Sequence, residues 1–585
     1  MSEGRTKESA TRRFALSDRQ LAAAIGLVLF VVAGWPLLFL RIPPYQDLPG
    51  HLAAVTILDH PEKYPEFVAT GFLKPNSFFF LWTLFVSRVI GLVPAAKVFV
   101  LGVLAAMAFV LPRFVLHFTD RRRMLLATPL LVPMVHNWFV SMGMLNFAAS
   151  IPVTLLLVMA LDDCLLSESA ARSAGASPSH RAPIKATLLA LVSWYLHPFP
   201  VFVVVLMVAA AAGAELFDTT RGPVKSRFTV LRAALPPLVT PVLMAVVLFF
   251  RHVDATAPTM EPPVFSSLQW AVYNLWGQWM YGFTELTAVS LLPAIALAVA
   301  AAVRRRAGRG LLGPAPLMAL LLAYLLGPYV AFDSSYLTPR LIPFIWAAAL
   351  VRLPPRFPKV LNGALVAAAV VYLVGMPIDL FRLSRELDDF AAGAQAVPEG
   401  ARILPLNFNA RVTSKNTFSL GTAWGLYVVE RHTSAVDAWT SDPSMPVMLR
   451  TPTPPHFEPM TRLRFIRDTR TREVFCADQR SKRMMVANCE ELWRVEWDSF
   501  WKEALPPFDH VLLWDPPAEV METVPKEFEE SFVQGRLHIL ARVPERRSSL
   551  APGPLLPPRS ASSPFSEGGS PDGFRADAAL GSMCR

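Results

Sequence analysis

From Pro43 to Ala53 the chain reads Pro-Pro-Tyr-Gln-Asp-Leu-Pro-Gly-His-Leu-Ala, which sets an acid, Asp47, four residues before an imidazole, His51, among prolines that stiffen the backbone. A carboxylate and a histidine at that spacing can take a proton from an incoming hydroxyl, and Asp47 can also be a ligand for a divalent cation such as Mg or Mn. The alternative is structural: if a helix begins near Gly50, Asp47 caps its N-terminus and His51 is an interfacial side chain.

Four further segments place polar groups in apolar surroundings. His136 to Phe147 is a glycine-containing break in which the amides of Asn137 and Asn146 could hydrogen-bond a sugar or a phosphate. A hairpin turn with an interfacial Trp would use the same residues. Trp194-Tyr195-Leu196-His197-Pro198-Phe199-Pro200 lies inside a long apolar run. An ionisable side chain there marks a functional site by default, although the prolines free carbonyls that His197 could simply satisfy. Segment 252–285 holds Gln269, Trp270, Tyr273, Asn274, Trp276, Gln278, Trp279 and Tyr281. Such rings suit the apolar faces of sugars and the amides suit their hydroxyls, with Trp276 the candidate ligand, while an interfacial amphipathic helix would use the same residues. Tyr336-Leu337-Thr338-Pro339-Arg340 ends in a guanidinium whose planar fork matches phosphate oxygens, with Tyr336 beside it. Snorkelling to lipid headgroups is the other use of Arg340.

These residues need elements to hold them. Of 585 residues, 53% are hydrophobic and 17% charged, with a mean hydropathy of +0.40, against about 45–50% and about 25% for soluble proteins. The chain therefore reads as mostly α, a polytopic helical membrane protein. A soluble enzyme is excluded, and so is an outer-membrane barrel, because the apolar runs are continuous rather than alternating. The net charge of +10 is assigned to Lys and Arg retained in cytoplasmic loops, not to nucleic-acid binding.

Residues 1–20 form a basic cytoplasmic tail and 21–379 a transmembrane module of about 11–13 helices, with a first outer loop at 42–76. Two topologies remain open. In one, Arg121-Arg122-Arg123 lies inside and the short run 77–92 is interfacial or re-entrant. In the other, 77–92 is a span and 186–214 is one helix kinked at Pro198 and Pro200. Residues 380–545, with β-rich pieces at Ala401–Leu406 and His510–Trp514, read as a C-terminal soluble α/β domain on the extracytoplasmic side. Residues 546–585, rich in Ser, Pro and Gly, read as a disordered tail. Cys476 and Cys489 fall in the outer domain, where oxidation permits a disulfide.

A long first helix, a D-x-P-x-H acidic loop directly after it, many further spans and a C-terminal soluble domain resemble the GT-C superfamily of integral-membrane glycosyltransferases, here of bacterial type. The resemblance implies transfer of a sugar from a polyprenyl-phosphate-linked donor to a lipid, glycan or protein acceptor on the outer face of the inner membrane. Asp47 matches the acidic residue of the first outer loop, as general base or metal ligand, with His51 assisting. Arg340 would bind donor phosphate, and His197 and Asn137 would line the cavity. One acid stands where some branches carry a pair, which leaves metal dependence open. A transporter or flippase, or a non-catalytic scaffold for envelope assembly, remains an alternative. The few ionisable residues in mid-span count against proton coupling.

Overall fold

The computed structural model describes residues 16–175, 177, 180–218, 228–256, 263–279, 289–331, 335–409, 417–435, 445–450, 459–481 and 488–543. The tail 546–585, most of the N-terminal tail, Tyr281 and the basic residues Arg221, Lys225 and Arg227 lie outside them.

Among the described residues, six helices are long and apolar enough to cross a membrane: Asp18–Phe39 (α1), Leu92–Phe118 (α4), Arg121–Met142, Leu145–Ala174 (α7), Phe199–Phe217 (α9) and Lys359–Ala396. Between α1 and α4 lie Leu48–Asp59 (α2) and Phe78–Ile90 (α3), and Arg121–Met142 comprises Arg121–Val135 (α5) and Trp138–Met142 (α6). Shorter apolar helices include Leu291–Val303 and Pro314–Leu326. The first helix starts where the sequence supplies a capping box: Ser17 Oγ accepts from the Gln20 N–H at 3.3 Å, and the Ser17 N–H donates to Gln20 Oε1 at 2.9 Å. It then packs along α4 through Gly26, where an added Cβ would come within 2.6 Å of the Phe109 ring. Close approach of two spans at a small residue is how helices gain contact where lipid competes for apolar surface.

One group of arginines gathers at one end of the bundle. Arg121 donates to Leu16 O at 3.0 Å and pairs with Asp18. Asp162 is buried there between His117 at 3.1 Å and Arg309 at 3.2 Å. Arg123 and Arg304 share the Leu353 carbonyl, and Arg352 reaches Leu312 O at 3.0 Å. The triplet at 121–123 therefore sits at the end where α1 begins, as the first of the two topologies requires. Helix α3 turns back along α4, with Trp82 Nε1 donating to Ala95 O and Phe79 packed on Phe99 at 5.1 Å. Its 13 residues rise only about 20 Å, short of an apolar core of about 30 Å.

The run 186–214 is two helices, Arg181–Leu196 (α8) and α9, so the kinked-span reading is corrected. Pro198 has no N–H to continue the ladder, and His197 Nδ1 accepts from the Phe199 N–H at 3.2 Å, starting the next helix. His197 thus stands at a turn at the end opposite that arginine group, not in mid-span.

At that opposite end the 34-residue helix Lys359–Ala392 (α15) carries the chain to a five-stranded sheet. Its strands are Arg402–Asn407 (β2), Ser434–Ala435 (β3), His510–Trp514 (β5), Phe528–Gln534 (β6) and Leu537–Arg542 (β7), in the order β3-β2-β5-β7-β6. The two β-rich pieces of the sequence lie side by side in parallel, Ile403 opposite His510 through Asn407 opposite Trp514. Alternating side chains face two cores. Ile403, Leu512 and Ile539 join the core of the helix bundle. Leu404, Leu406, Val511 and Leu513 meet Trp493, Trp497 and Trp501 of Cys489–Ala504 (α19). A second, two-stranded sheet pairs Phe67–Ala69 (β1) of the first loop with Val447–Leu449 (β4), antiparallel.

Candidate active site

Helix α2 begins one residue after Asp47, the position where a capping aspartate would stand. Yet the Asp47 carboxylate makes no capping bond to α2, so capping does not consume it. The backbone is fixed instead by its neighbour in space: the Gln46 N–H donates to Ser141 O at 3.1 Å and the Asp47 N–H to Met142 O at 3.0 Å. Gly143 closes this contact. It ends α6 in the left-handed region, φ +82°, and a Cβ there would lie 2.8 Å from Asp47 N. Glycine is the residue that meets both demands, an αL cap and a close backbone approach. His51, one turn along α2, places Nε2 3.1 Å from the Gly143 carbonyl and packs its ring on Phe79 and Phe80.

The segment 136–147 organises the rest. Asn137 accepts the N–H groups of Phe139 and Val140 and so caps α6. Asn146 Oδ1 accepts from Phe79 N–H at 2.8 Å, and its Nδ2 donates to Asn76 O at 2.7 Å, which ties α7 to the start of α3. Both amides are thus engaged with backbone. Phe147 contacts His197 at 5.2 Å and Phe139 at 4.6 Å. The Arg340 guanidinium lies over the rings of Phe147 at 5.8 Å and Phe199 at 5.9 Å, within cation–π range. Tyr336, with φ +62°, stands between Trp138 and Tyr329. One segment therefore holds Asp47 through Gly143 and carries the ring beneath Arg340 and beside His197. Trp276 belongs to a ring ladder on Leu268–Gly277, 4.7 Å from Tyr273. Cys476 and Cys489 form a disulfide in the sheet domain, Cα–Cα 5.8 Å.

The sheet domain reaches the same loop. Gln46 Oε1 accepts the Phe418 N–H at 2.7 Å, and the Thr422 hydroxyl donates to Gln46 O at 2.6 Å and accepts the Gly50 N–H at 3.1 Å. With its oxygen committed to Phe418, the Gln46 amide turns Nε2 toward Asp47 Oδ1, 3.4 Å away. Gln46 and the 418–422 loop were not singled out in the sequence. Gln46 sits in the quoted motif but is an ordinary polar residue there, and the loop carries no spacing that links it to residue 47.

Asp47 is 6% exposed. Burial pushes its carboxyl up to about 7, opposed in part by the Gln46 amide. Burial pushes His51 down to about 4, against the Gly143 carbonyl that favours its charged form. At neutral pH His51 is therefore neutral, and its bond to a carbonyl places the proton on Nε2. A carboxylate that changes charge near pH 7 has the affinity a general base needs. The donor set fits a metal poorly: one carboxylate that faces an amide N–H, and an imidazole turned to a carbonyl. Among the described residues no group of three or more His, Cys, Asp or Glu side chains is placed to hold a metal ion.

No family model and no curated protein matches the sequence. Among solved structures, the chain is similar to ArnT from Cupriavidus metallidurans in the apo state, with a TM-score of 0.47 and 12% identity over 91% of this chain and 98% of that one.

Proposed function

We propose that this membrane protein is a glycosyltransferase of the GT-C kind, moving a sugar from a polyprenyl-phosphate-linked donor to an acceptor on the outer face of a bacterial inner membrane. The observation that carries the proposal is Asp47: a buried carboxylate not used to cap its helix, held where the helix bundle meets the sheet domain, and tied through 143–147 to Arg340. In the reaction Asp47 takes the proton of the acceptor hydroxyl as its oxygen bonds to the anomeric carbon of the donor. The bond from that carbon to the carrier's phosphate oxygen breaks, and its electrons leave with the phosphate. Arg340, offering several N–H donors in one plane, balances that charge. His51 steadies the first turn of α2 against Gly143, and Tyr336 and His197 flank Arg340. No step passes through a metal. In this reading the arginine-rich end faces the cytoplasm, as the positive-inside rule favours, and Asp47 and the sheet domain face outside. A lipid-borne donor accounts for so much apolar helix around so small a polar site.

The test is transfer of radiolabelled sugar from a panel of polyprenyl-phosphate sugars to membrane acceptors by the wild type, Asp47→Asn and Arg340→Gln. Incorporation by the wild type that both variants lose supports the assignment. Equal incorporation by all three removes these residues from the chemistry, and no incorporation from any donor returns weight to a transporter or scaffold.

A further inference from the structure

The end of the bundle opposite Asp47 carries more positive charge than its carboxylates balance. Arg123 of α5 and Arg304, which follows Leu291–Val303 (α12), donate to one oxygen, Leu353 O, at 2.9 and 2.7 Å. The two guanidiniums are therefore neighbours, although like charges repel. The next residue back from that oxygen is Arg352, fully buried, with Nη1 and Nη2 donating to the carbonyls of Ala348 and Leu312. Asp120 pairs with Arg123, Asp18 with Arg121 and Asp162 with Arg309. Among the described residues, Arg122, Arg304, Arg305, Arg306, Arg356 and Lys359 pair with no carboxylate. A basic rim is what the positive-inside rule leaves on loops. It does not by itself gather cations from three separate segments around one carbonyl.

Apolar surface adjoins these cations. Val303 precedes Arg304, Val360 follows Lys359 and Leu125 lies two residues past Arg123, and their exposures are 77%, 86% and 46%. Exposed aliphatic side chains on membrane helices face acyl chains, so the basic groups beside them stand at headgroup depth. Helix α15 packs against both α5 and α12. About ten residues along from the basic ends, or about 15 Å of helix, the three surround a shallow apolar groove lined by Pro129, Pro133, Pro293, Ala368, Ala369 and Tyr372. Compact proline and alanine side chains leave the helices short of flush contact there, at the depth of an acyl chain.

We propose that Arg123 and Arg304 hold the phosphate of an anionic phospholipid, one chain of which lies in the groove between α5, α12 and α15. Guanidinium forks match phosphate oxygens, and a phosphate set between the two cations turns their repulsion into attraction. Arg305 and Arg306 add positive potential, which favours a lipid with net negative charge over a zwitterionic one. In the orientation proposed above, this is a lipid of the inner leaflet, at the opposite end of the bundle from Arg340. It clasps three segments of the chain and takes no part in the transfer.

Native mass spectrometry of the detergent-purified full chain tests this by titration with phosphatidylglycerol, phosphatidylcholine or inorganic phosphate. The wild type should hold phosphatidylglycerol about tenfold or more tighter than phosphatidylcholine. Arg304→Gln, which keeps a donor for Leu353 O, should lose most of that preference, and so should Arg123→Gln. Ala368→Leu fills the groove without touching a charge and should weaken phosphatidylglycerol binding on its own, so the outcome does not hang on an arginine variant folding. Arg340→Gln should bind as the wild type does. Equal binding of the two lipids, a preference that survives both arginine variants, or binding that Ala368→Leu leaves unchanged overturns the proposal. Displacement of the lipid by an equal concentration of inorganic phosphate would show an anion site without a chain and also overturn it, as would a preference lost in Arg340→Gln and kept in Arg304→Gln. Bound lipid is counted without any transfer reaction, so this result and the test of the transferase reading stand or fall separately.

Discussion

Replacing Asp47 by Asn should remove activity and make the protein more stable, and the gain should depend on pH in a defined way. Burial raises the carboxyl from its ordinary 3.8 to about 7. Below pH 4 the group is neutral in the folded and the unfolded chain, so it contributes no difference. Between pH 4 and 7 the unfolded chain ionises and the folded chain does not, so wild-type stability falls by about 1.4 kcal/mol per pH unit. Above pH 7 both forms are ionised and the loss levels off. The rise to about 7 therefore corresponds to a cost of about 4 kcal/mol at pH 8. Asn carries no charge to bury and keeps an oxygen for the Gln46 amide, so the variant escapes this cost. The assay is thermal unfolding of the purified full chain by tryptophan fluorescence, from pH 4 to pH 8.5. The variant's advantage should be near zero at pH 4, grow to several degrees by pH 7 and then stay constant. A difference that is flat with pH, or a variant less stable than wild type at pH 8, would refute the reasoning. Wild-type transfer should rise with pH through about 7, because the base works only when ionised.

Gly143→Ala should cost about 1–3 kcal/mol and abolish transfer, since it strains an αL position and its Cβ would press on Asp47 N. Gly102→Ala, where a Cβ meets nothing within 4 Å, should be neutral in the same thermal and transfer assays. Arg340→Lys keeps the charge but loses the planar fork over Phe147 and Phe199, and initial rates against donor concentration should show KM rising about tenfold or more. Joint replacement of Cys476 and Cys489 by Ser frees a loop with a sequence separation of 13 and should lower domain stability by about 2–4 kcal/mol in denaturant titrations, with transfer unchanged under mild conditions.

Much of the frame was legible because it rests on local signals. The apolar run after Ser17 became α1, and the pieces Ala401–Leu406 and His510–Trp514 became adjacent strands. Asp47 and His51 were visible as a pair because four residues make one helical turn. What local signals could not give was the partner of each. Capping was a fair expectation for Asp47, and only the tertiary contact with 141–143 shows that the carboxylate has another use. His197 read as a mid-span histidine because hydropathy windows run straight through a two-residue turn. Gln46 and Phe418–Thr422 are separated by 372 residues or more, and no periodicity bridges that gap.

That separation also orders events during synthesis. The first loop leaves the ribosome early, while Phe418, Thr422 and β4 are still to be made. At about 5–20 residues per second the wait is about 20–75 s. Through that interval the loop must remain outside the membrane without the contacts that later secure it, and β1 is an unpaired edge. The site is thus completed late, by residues 418–449 closing on the first loop. A nascent chain released before residue 422 would carry the apolar helices described above and still lack the contacts that fix Gln46 beside Asp47, so synthesis beyond that point is itself a condition for activity.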